Sequence, residues 1–364
     1  MAAVRAGIHH RRDPRGRRRP APTWRSEMNS HNLLSQVKSW TAFRAIILLV
    51  LVVLVLLAVQ PTALGSYGIA LSRVVDVWMV AIALVPVLVL GEIDLSVGST
   101  MAVTAAVTAQ VSGNLGVSIP LALAVGCVIG LINGLLIVKV GINSFITTLG
   151  MMITLQGLAL AITDGAPVPL TDSDRALAFS VPLIGQITPD ILIAIAATAV
   201  LWFFMTKMRS GRELYIIGGN AEAAASGGIS IDTRKMLAFV ICSAVAGLAG
   251  VVDTLNLVAA SPTLGSSVML LAIAAAVVGG ASLSGGRASV IGAVIGAIAL
   301  GGISIGLQMS GLDSSVESIA IGAILFAAIV LTKEGISALR LPSLPNLSAG
   351  EPSKHTAVPA GKAR

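Results

Sequence analysis

The chain has 364 residues, of which 55% are hydrophobic and 11% are charged, and its mean hydropathy is +0.92. Soluble domains carry roughly 25% charged residues, so this composition excludes an ordinary soluble protein and predicts an integral membrane protein. The alternating pattern of a membrane barrel is absent, which favours spanning helices. The net charge of +7 does not indicate nucleic acid, because much of it lies in residues 1–41.

Residues 1–41 are interpreted as a basic, disordered cytoplasmic arm and not as a cleaved signal peptide. Apolar runs then predict about ten transmembrane helices within one domain, residues 42–331. The predicted spans are residues 42–59, 69–90, 95–112, 119–138, 144–163, 190–205, 236–257, 269–281, 290–307 and 316–331. A long polar loop, residues 206–235, interrupts this domain, and a polar cytoplasmic tail, residues 332–364, follows it. Eight spans with two re-entrant segments are the alternative.

The basic residues predict how the spans are oriented. If the N-terminus lies inside and every span crosses, nearly all lysines and arginines fall on the cytoplasmic side, and only Arg73 and Arg175 fall outside. Both termini are therefore predicted to be cytoplasmic. Glycines at close intervals within the spans, such as Gly126 and Gly130, predict that helix backbones approach closely.

The residue types that carry most enzyme chemistry are scarce here. All four histidines lie in the terminal segments, and neither a metal-ligand spacing nor a Walker-type phosphate loop occurs. No metal, cofactor or catalytic site is therefore predicted, and any use of ATP must come from another chain. Cys127 and Cys242 lie inside apolar runs and are interpreted as small core residues.

The segment GEIDLSVGST, residues 91–100, places the carboxylates Glu92 and Asp94 and the hydroxyl of Ser96 between two apolar runs. A charge at the edge of a bilayer or within it is costly, so these carboxylates are candidates for function. The alternative is that both lie among lipid headgroups, with Asp94 capping the next helix.

The start of the fifth span is also polar. Asn143, Ser144, Thr147 and Thr148 can share a helix face, and amides and hydroxyls are groups that bind an uncharged polyol. Equally, these side chains can bond to nearby carbonyls and cap the helix. Further amides within or near the spans are Asn133, Gln156 and Asn256.

Loop 206–235 contains Asn220 followed by Glu222 and several alanines, between two pairs of glycines. This pattern predicts a short capped helix at residues 220–226. A helix with small side chains suits docking into a groove on a partner, and a solvated loop helix is the alternative. Later in the chain, GGASLSGG at residues 279–286 echoes GEIDLSVG, as an internal repeat would.

Together these segments resemble the permease subunits of bacterial ABC importers for monosaccharides, the ribose-permease-like group of the branched-chain amino acid and sugar permease superfamily. The resemblance covers about residues 45–335. The stretches that carry it are GEIDLSVGST (91–100), NSFITTLGM (143–151), GRELYIIGGNAEAAASGG (211–228), KMLAFVICSAVAGLAG (235–250), SPTLG (261–265) and residues 279–296.

The resemblance implies an ABC importer permease fold, all α-helical, in the bacterial inner membrane, with no covalent chemistry of its own. The implied partners are a separate ATP-binding subunit, a periplasmic or lipid-anchored solute-binding protein and a second permease, either an identical copy or a paralogue. The resemblance also implies that the protein contacts a small sugar and membrane lipids, and it implies no nucleic acid partner.

The patterns and the resemblance together select the candidate residues. The substrate pathway is predicted at Glu92, Asp94, Ser96, Asn143, Phe145, Thr147, Thr148, Gln156 and Asn256. Coupling to the ATPase is predicted at Arg212, Glu213, Asn220, Glu222 and Ala223. Structural roles are predicted for Gly98, Gly279, Gly280, Gly285 and Gly286.

The sequence also departs from the family's pattern. Glu92 stands where the family often has a second glycine, Gln156 where it often has arginine, and Ala288 where glycine is common. Another small polar solute, such as an inositol, a nucleoside or a branched-chain amino acid, is therefore an alternative substrate. A different class is an ion-coupled secondary transporter that uses Asp94 and Asp253. A non-transporting scaffold is a third class, and it would leave the polar residues of the fifth span without a purpose.

Overall fold

The structure is a computed structural model that describes residues 67–171 and 178–309, with isolated helical positions at 315, 319, 322, 323 and 326. The predicted arm at residues 1–41, the first predicted span and the tail at residues 332–364 lie outside the described residues. Most of the tenth predicted span also lies outside them.

The described part of the chain is mainly helical. Its α-helices are α1 (Tyr67–Ser72), α2 (Val75–Val89), α3 (Val97–Gln110), α4 (Leu115–Leu135), α5 (Ser144–Ile162), α6 (Pro189–Lys207), α7 (Arg209–Gly219), α8 (Ala221–Ser226), α9 (Ile231–Leu257), α10 (Ser266–Val278) and α11 (Val290–Met309). A π-helical turn, Leu136–Val140, extends α4, and a short 3-10 turn covers Ala178–Ser180. Two short strands, β1 (Val168–Pro169) and β2 (Ala259–Ala260), pair antiparallel.

Among the described residues, four helices are long and apolar enough to cross a membrane, namely α4 with its π-helical turn, α5, α6 and α9. Shorter apolar helices are α2, α10 and most of α11. The prediction of an all-α polytopic membrane protein is confirmed. The number of spans depends on segments outside the described residues and stays a prediction.

Several predicted boundaries differ from the structure. The second predicted span, 69–90, is divided after Ser72 into α1 and α2. The polar loop at residues 206–235 is largely helical, because it contains α7 as well as α8, and α9 already begins at Ile231. The predictions followed the start of apolar sequence, whereas polar residues at a helix end continue the backbone hydrogen bonds. The eighth predicted span ends earlier, since the positive φ of Gly280 (102°) stops the helical path.

Helix α9 lies at the centre of the packing and contacts α2, α3 and α4. Its close approach to α4 depends on glycine. A Cβ added at Gly130 would lie 2.5 Å from the carbonyl oxygen of Phe239, and one at Gly126 would lie 2.9 Å from that of Ser243. The predicted packing through small residues is therefore confirmed for this pair of helices.

The connections between helices are sorted to two ends of the bundle. At one end, Gly286 donates its N–H to the carbonyl of Val89 at 2.8 Å, and the Tyr215 hydroxyl donates to the carbonyl of Ala288 at 3.2 Å. At the other end, β1 pairs with β2 and the hydroxyls of Ser112 and Thr171 are 2.6 Å apart. Helices that cross a membrane in alternating directions place their connections at two ends in this way. The end that contains Val89, Tyr215 and Gly286 comprises the segments predicted to be cytoplasmic.

Candidate functional site

A buried polar cluster forms where the loop after α2 enters α3. Gly91 leaves α2 with a positive φ of 75° and turns the chain back. The Asp94 carboxylate is fully buried, and its Oδ1 accepts hydrogen bonds from the Ser96 N–H at 2.8 Å and the Ser96 hydroxyl at 2.6 Å. The Ser96 Oγ in turn accepts from Asn133 Nδ2 of α4 at 2.9 Å. These bonds fix the loop to α4.

Asp94 does not cap α3, contrary to one interpretation of the sequence. The N-cap position belongs to Ser96, whose side chain makes no capping bond, and Asp94 bonds to the Ser96 N–H ahead of the first helical turn. The acid thus stabilises the turn of the loop.

The same cluster contains buried acceptors that are not satisfied. Asp94 Oδ2 and Asn133 Oδ1 have no hydrogen-bond partner among the described residues. The thiol of Cys242, on α9, lies beside the Asp94 carboxyl and can donate a weak hydrogen bond to it. A buried polar atom without a partner costs about 1–3 kcal/mol. Such acceptors suit a ligand that brings hydroxyl donors.

The polar side chains at the start of α5 differ in their hydrogen bonding. Asn143 caps the helix, because its Oδ1 accepts from the Phe145 N–H at 2.9 Å. Thr148 donates to the carbonyl of Ser144 at 2.8 Å and reaches the carbonyl of Ile93, beside Asp94, at 3.3 Å. The Thr147 hydroxyl is buried without a partner among the described residues. The Phe145 side chain is 48% exposed.

The remaining predicted pathway residues lie elsewhere in the bundle. Gln156 donates to the carbonyl of Pro262 at 2.7 Å and ties α5 to the SPTLG segment. Asn256 lies at the opposite end and donates to Asp190 Oδ2 at 3.1 Å. Asp190 also accepts from the Ser72 hydroxyl. The start of α5 therefore meets the loop that carries Asp94, whereas Gln156 and Asn256 bond to other segments.

Glu92 is held apart from the Asp94 cluster by an ion pair. Its carboxylate accepts a hydrogen bond from the ammonium group of Lys235, in the second turn of α9. The side chains are 16% and 28% exposed, respectively, so the pair is partly shielded from solvent.

The coupling segment contains the capped helix that the sequence predicts. Asn220 is the N-cap of α8, and its Oδ1 accepts from the Ala223 N–H at 2.9 Å. Glu222 and Ala223 are exposed, whereas Ala224 is buried against the bundle. The local structure is confirmed, and a docking role stays a prediction.

Glu213, on α7, is buried between two arginines. Its carboxylate accepts from Arg234 Nε at 2.5 Å and from Arg209 Nε at 2.7 Å. The hydrogen bonds from Arg234 and then Arg209 lower the pKa of Glu213 below its ordinary value. Glu213 thus joins α7 to the start of α9, whereas its neighbour Arg212 is exposed.

The predicted structural glycines lie where a side chain would not fit or where φ is positive. A Cβ at Gly98 would overlap the carbonyl oxygen of Gly265, and one at Gly279 would overlap that of Gly292. Positive φ occurs at Gly280 (102°), Gly285 (83°) and Gly286 (74°). The two segments that echo each other also meet, since a Cβ at Gly91 would lie 3.3 Å from the carbonyl of Ser284. Their preceding helices, α2 and α10, pack together.

Residues 66–329 match the protein family described as "Branched-chain amino acid transport system / permease component". The chain belongs to this permease family. The matched range contains all the candidate residues, and the resemblance drawn from the sequence is confirmed. The permease is accordingly a multi-pass protein of the bacterial inner membrane.

Three curated relatives illustrate the similarity. The D-allose transport system permease protein of Escherichia coli K12 is 36% identical over 193 residues, covering 53% of this chain and 59% of the relative. The ribose import permease protein of the same strain is 34% identical over 200 residues, covering 54% and 62%. The ribose import permease protein of Haemophilus influenzae is 33% identical over 258 residues, covering 69% and 80%. The permease thus spans about three-fifths of the two Escherichia coli proteins. No solved structure matches it.

Several residues of the permease site are not among the sequence-based candidates. In the sequence Asn133 is only one more amide within a span, because its bond to Ser96 crosses 37 residues of sequence. Lys235 lies 143 residues from Glu92. Asp190, directly after Pro189, has the pattern of an ordinary acid in a first helical turn. Only the burial of Asp190 distinguishes it from such an acid.

Proposed function

We propose that the permease forms the translocation pathway of an ATP-driven importer for a monosaccharide. The observation that carries the proposal is the buried cluster of Asp94, Ser96 and Asn133. In it Asn133 Oδ1 has no hydrogen-bond partner among the described residues, and the Asp94 carboxylate has the weak thiol donor of Cys242 beside it. A sugar offers several hydroxyl donors and no charge, so it can satisfy buried acceptors without bringing a counter-ion. Thr147 and Thr148 extend the polar surface toward α5.

Energy would enter through the predicted cytoplasmic end. In this proposal α8 is the element that docks into a groove on a separate ATP-binding subunit. Its exposed Glu222 and Ala223 face away from the bundle, and the Asn220 cap holds the short helix in shape. The permease would act as a dimer, with an identical copy or a paralogue, and would receive its sugar from a solute-binding protein.

The names of the relatives indicate which sugars to test first. Two of those described above are named for ribose import and one for D-allose transport. Both are monosaccharides, which agrees with the substrate class proposed here. The family description names branched-chain amino acids, so these are the second candidate substrates.

Reconstitution tests the proposal directly. The permease is co-expressed with a candidate ATP-binding subunit and a candidate solute-binding protein from its own organism, purified as a complex and placed in liposomes. We expect uptake of labelled ribose or allose that requires ATP inside the liposomes and the ATP-binding subunit. A labelled branched-chain amino acid is measured in parallel.

Two results would contradict the proposal. Uptake of branched-chain amino acids but not of sugars would show that the substrate is an amino acid and not a monosaccharide. Uptake that persists without the ATP-binding subunit and collapses with a protonophore would favour the ion-coupled alternative. In that case Asp94 and Asp253 would be the residues to replace.

A further inference from the structure

The coupling segment has two connections to the loop that carries Asp94. The first is made by backbone. A Cβ at Gly218, near the end of α7, would overlap the carbonyl oxygen of Val89 and would lie 2.7 Å from the Gly286 nitrogen. Gly286 itself donates to the Val89 carbonyl at 2.8 Å. The end of α2, the end of α7 and the glycine turn at Gly286 therefore meet without intervening side chains.

The second connection is electrostatic. Lys235 lies in the second turn of α9, a few residues after α8 and the Gly227–Gly228 turn. Its ammonium group donates to Glu92. The preceding residue, Arg234, donates to Glu213 of α7. The start of α9 is thus clamped on one side to the coupling segment and on the other to the loop after α2.

From Glu92 the chain leads within two residues to Asp94. Asp94 holds the Ser96 N–H and hydroxyl, and Ser96 accepts from Asn133. A displacement of Glu92 therefore moves the residue that positions the buried polar cluster. The Glu92 N–H donates to the Val87 carbonyl at the end of α2, and the Ser96 carbonyl accepts from the Thr100 N–H of α3. Between these two anchors the backbone from Ile93 to Leu95 is not helical, so this part of the loop can bend while the ladders of both helices are kept.

We infer that the Glu92–Lys235 ion pair transmits the movement of the coupling segment to the Asp94 cluster. The inference rests on the proposed function and adds to it a pair of positioning residues. A fully exposed pair would be screened and weak, but this pair is partly shielded, with side chains 16% and 28% exposed. Loss of either charge uncouples ATP hydrolysis from transport while leaving both sites intact.

A charge-exchange experiment tests the inference. The variants are E92Q, K235Q and the double exchange E92K/K235E, each assembled with the ATP-binding subunit in liposomes. The measured quantity is sugar taken up per ATP hydrolysed. Exposed Lys139, in the π-helical turn near the same end of the bundle, supplies the matched control K139Q. We expect each single variant to lower the ratio about fivefold or more, the lower range of coupling between sites.

The ratio in complexes that assemble normally distinguishes transmission from simple stabilisation, and restoration shows that the attraction between the two charges is what maintains the ratio. The exchanged pair should recover most of the wild-type ratio, because the attraction returns with its direction reversed. Unchanged ratios in E92Q and K235Q would overturn the inference. So would an exchanged pair that assembles normally and remains uncoupled. If a single variant fails to assemble, the double exchange still gives a decisive result. Failure of the proposed function gives a different result from failure of this inference, because the wild-type complex itself would then import no sugar.

Discussion

At the scale of single residues, the permease places carboxylates in three different environments. Asp94 is buried and holds a loop turn through Ser96. Glu92 is paired with Lys235. Glu213 is buried between two arginines. All three belong to segments that the sequence marked, but their roles follow from their partners. An acidic residue in an apolar chain therefore marks a candidate position, but its hydrogen-bond and ion-pair partners determine what it does.

The arginine partners of Glu213 lead to a prediction about pH. Because its pKa is lowered in the folded chain, its stabilising contribution is fully present above the unfolded value of about 4.3 and is lost as pH falls through the lower folded value. We expect the difference in thermal unfolding midpoint between wild type and E213Q, measured in detergent, to stay constant from about pH 8 to pH 5. It should shrink only in stronger acid.

The control for this measurement is E222Q, since Glu222 is exposed on the neighbouring helix α8. This variant should unfold like wild type over the whole pH range. A difference for E213Q that already shrinks between pH 7 and pH 5 would show that the arginines do not hold the carboxylate in its ionised form.

At the scale of elements, glycine determines how closely α4 and α9 pack. We expect G130A to lower the stability of the solubilised permease by about 1–3 kcal/mol, because its Cβ would lie 2.5 Å from the Phe239 carbonyl oxygen. The matched control is G150A on α5, where a Cβ meets nothing within 4 Å. Thermal unfolding of both variants measures the difference. Equal midpoints would mean that the α4–α9 contact adjusts without cost.

Helix α8 supports a prediction about assembly. A tryptophan in place of exposed Ala223 should leave the permease folded but should reduce co-purification of the ATP-binding subunit by about tenfold, as loss of a central interface contact does. The control is A166W, since Ala166 is also exposed but lies beyond α5 at the opposite end of the bundle. Normal assembly of A223W, with ATPase activity still stimulated by sugar, would exclude α8 as the docking element.

At the scale of the whole molecule, the connections sort into two ends, and the basic residues predict which end is cytoplasmic. We expect A166C to react with a membrane-impermeant maleimide in spheroplasts, and A223C to react only after lysis. Both are made in a background without Cys127 and Cys242. Labelling of A223C in spheroplasts, with A166C labelled only after lysis, would show that the orientation is the opposite of the predicted one. Labelling of both positions from one side would exclude an odd number of crossings between them.

Much of the architecture was predictable from the sequence, because the signals involved are local. Apolar runs marked the helices, Asn220 marked the start of α8, and the glycines marked close contacts and turns. Helix ends were less predictable, as α9 shows. Four polar residues, 232–235, follow its first residue, Ile231. A hydropathy pattern detects the start of apolar sequence, whereas the backbone hydrogen bonds of the helix continue through polar residues whose side chains find partners.

The composition of the candidate site was decided by tertiary structure alone. Nothing local to Glu92 specifies Lys235, and nothing local to Ser96 specifies Asn133, because each pair is joined by packing between helices distant in sequence. The sequence by itself determined a polytopic permease with polar residues in marked segments. The tertiary structure determined which of those residues meet, since burial and hydrogen-bond partners depend on how α3, α4 and α9 pack together.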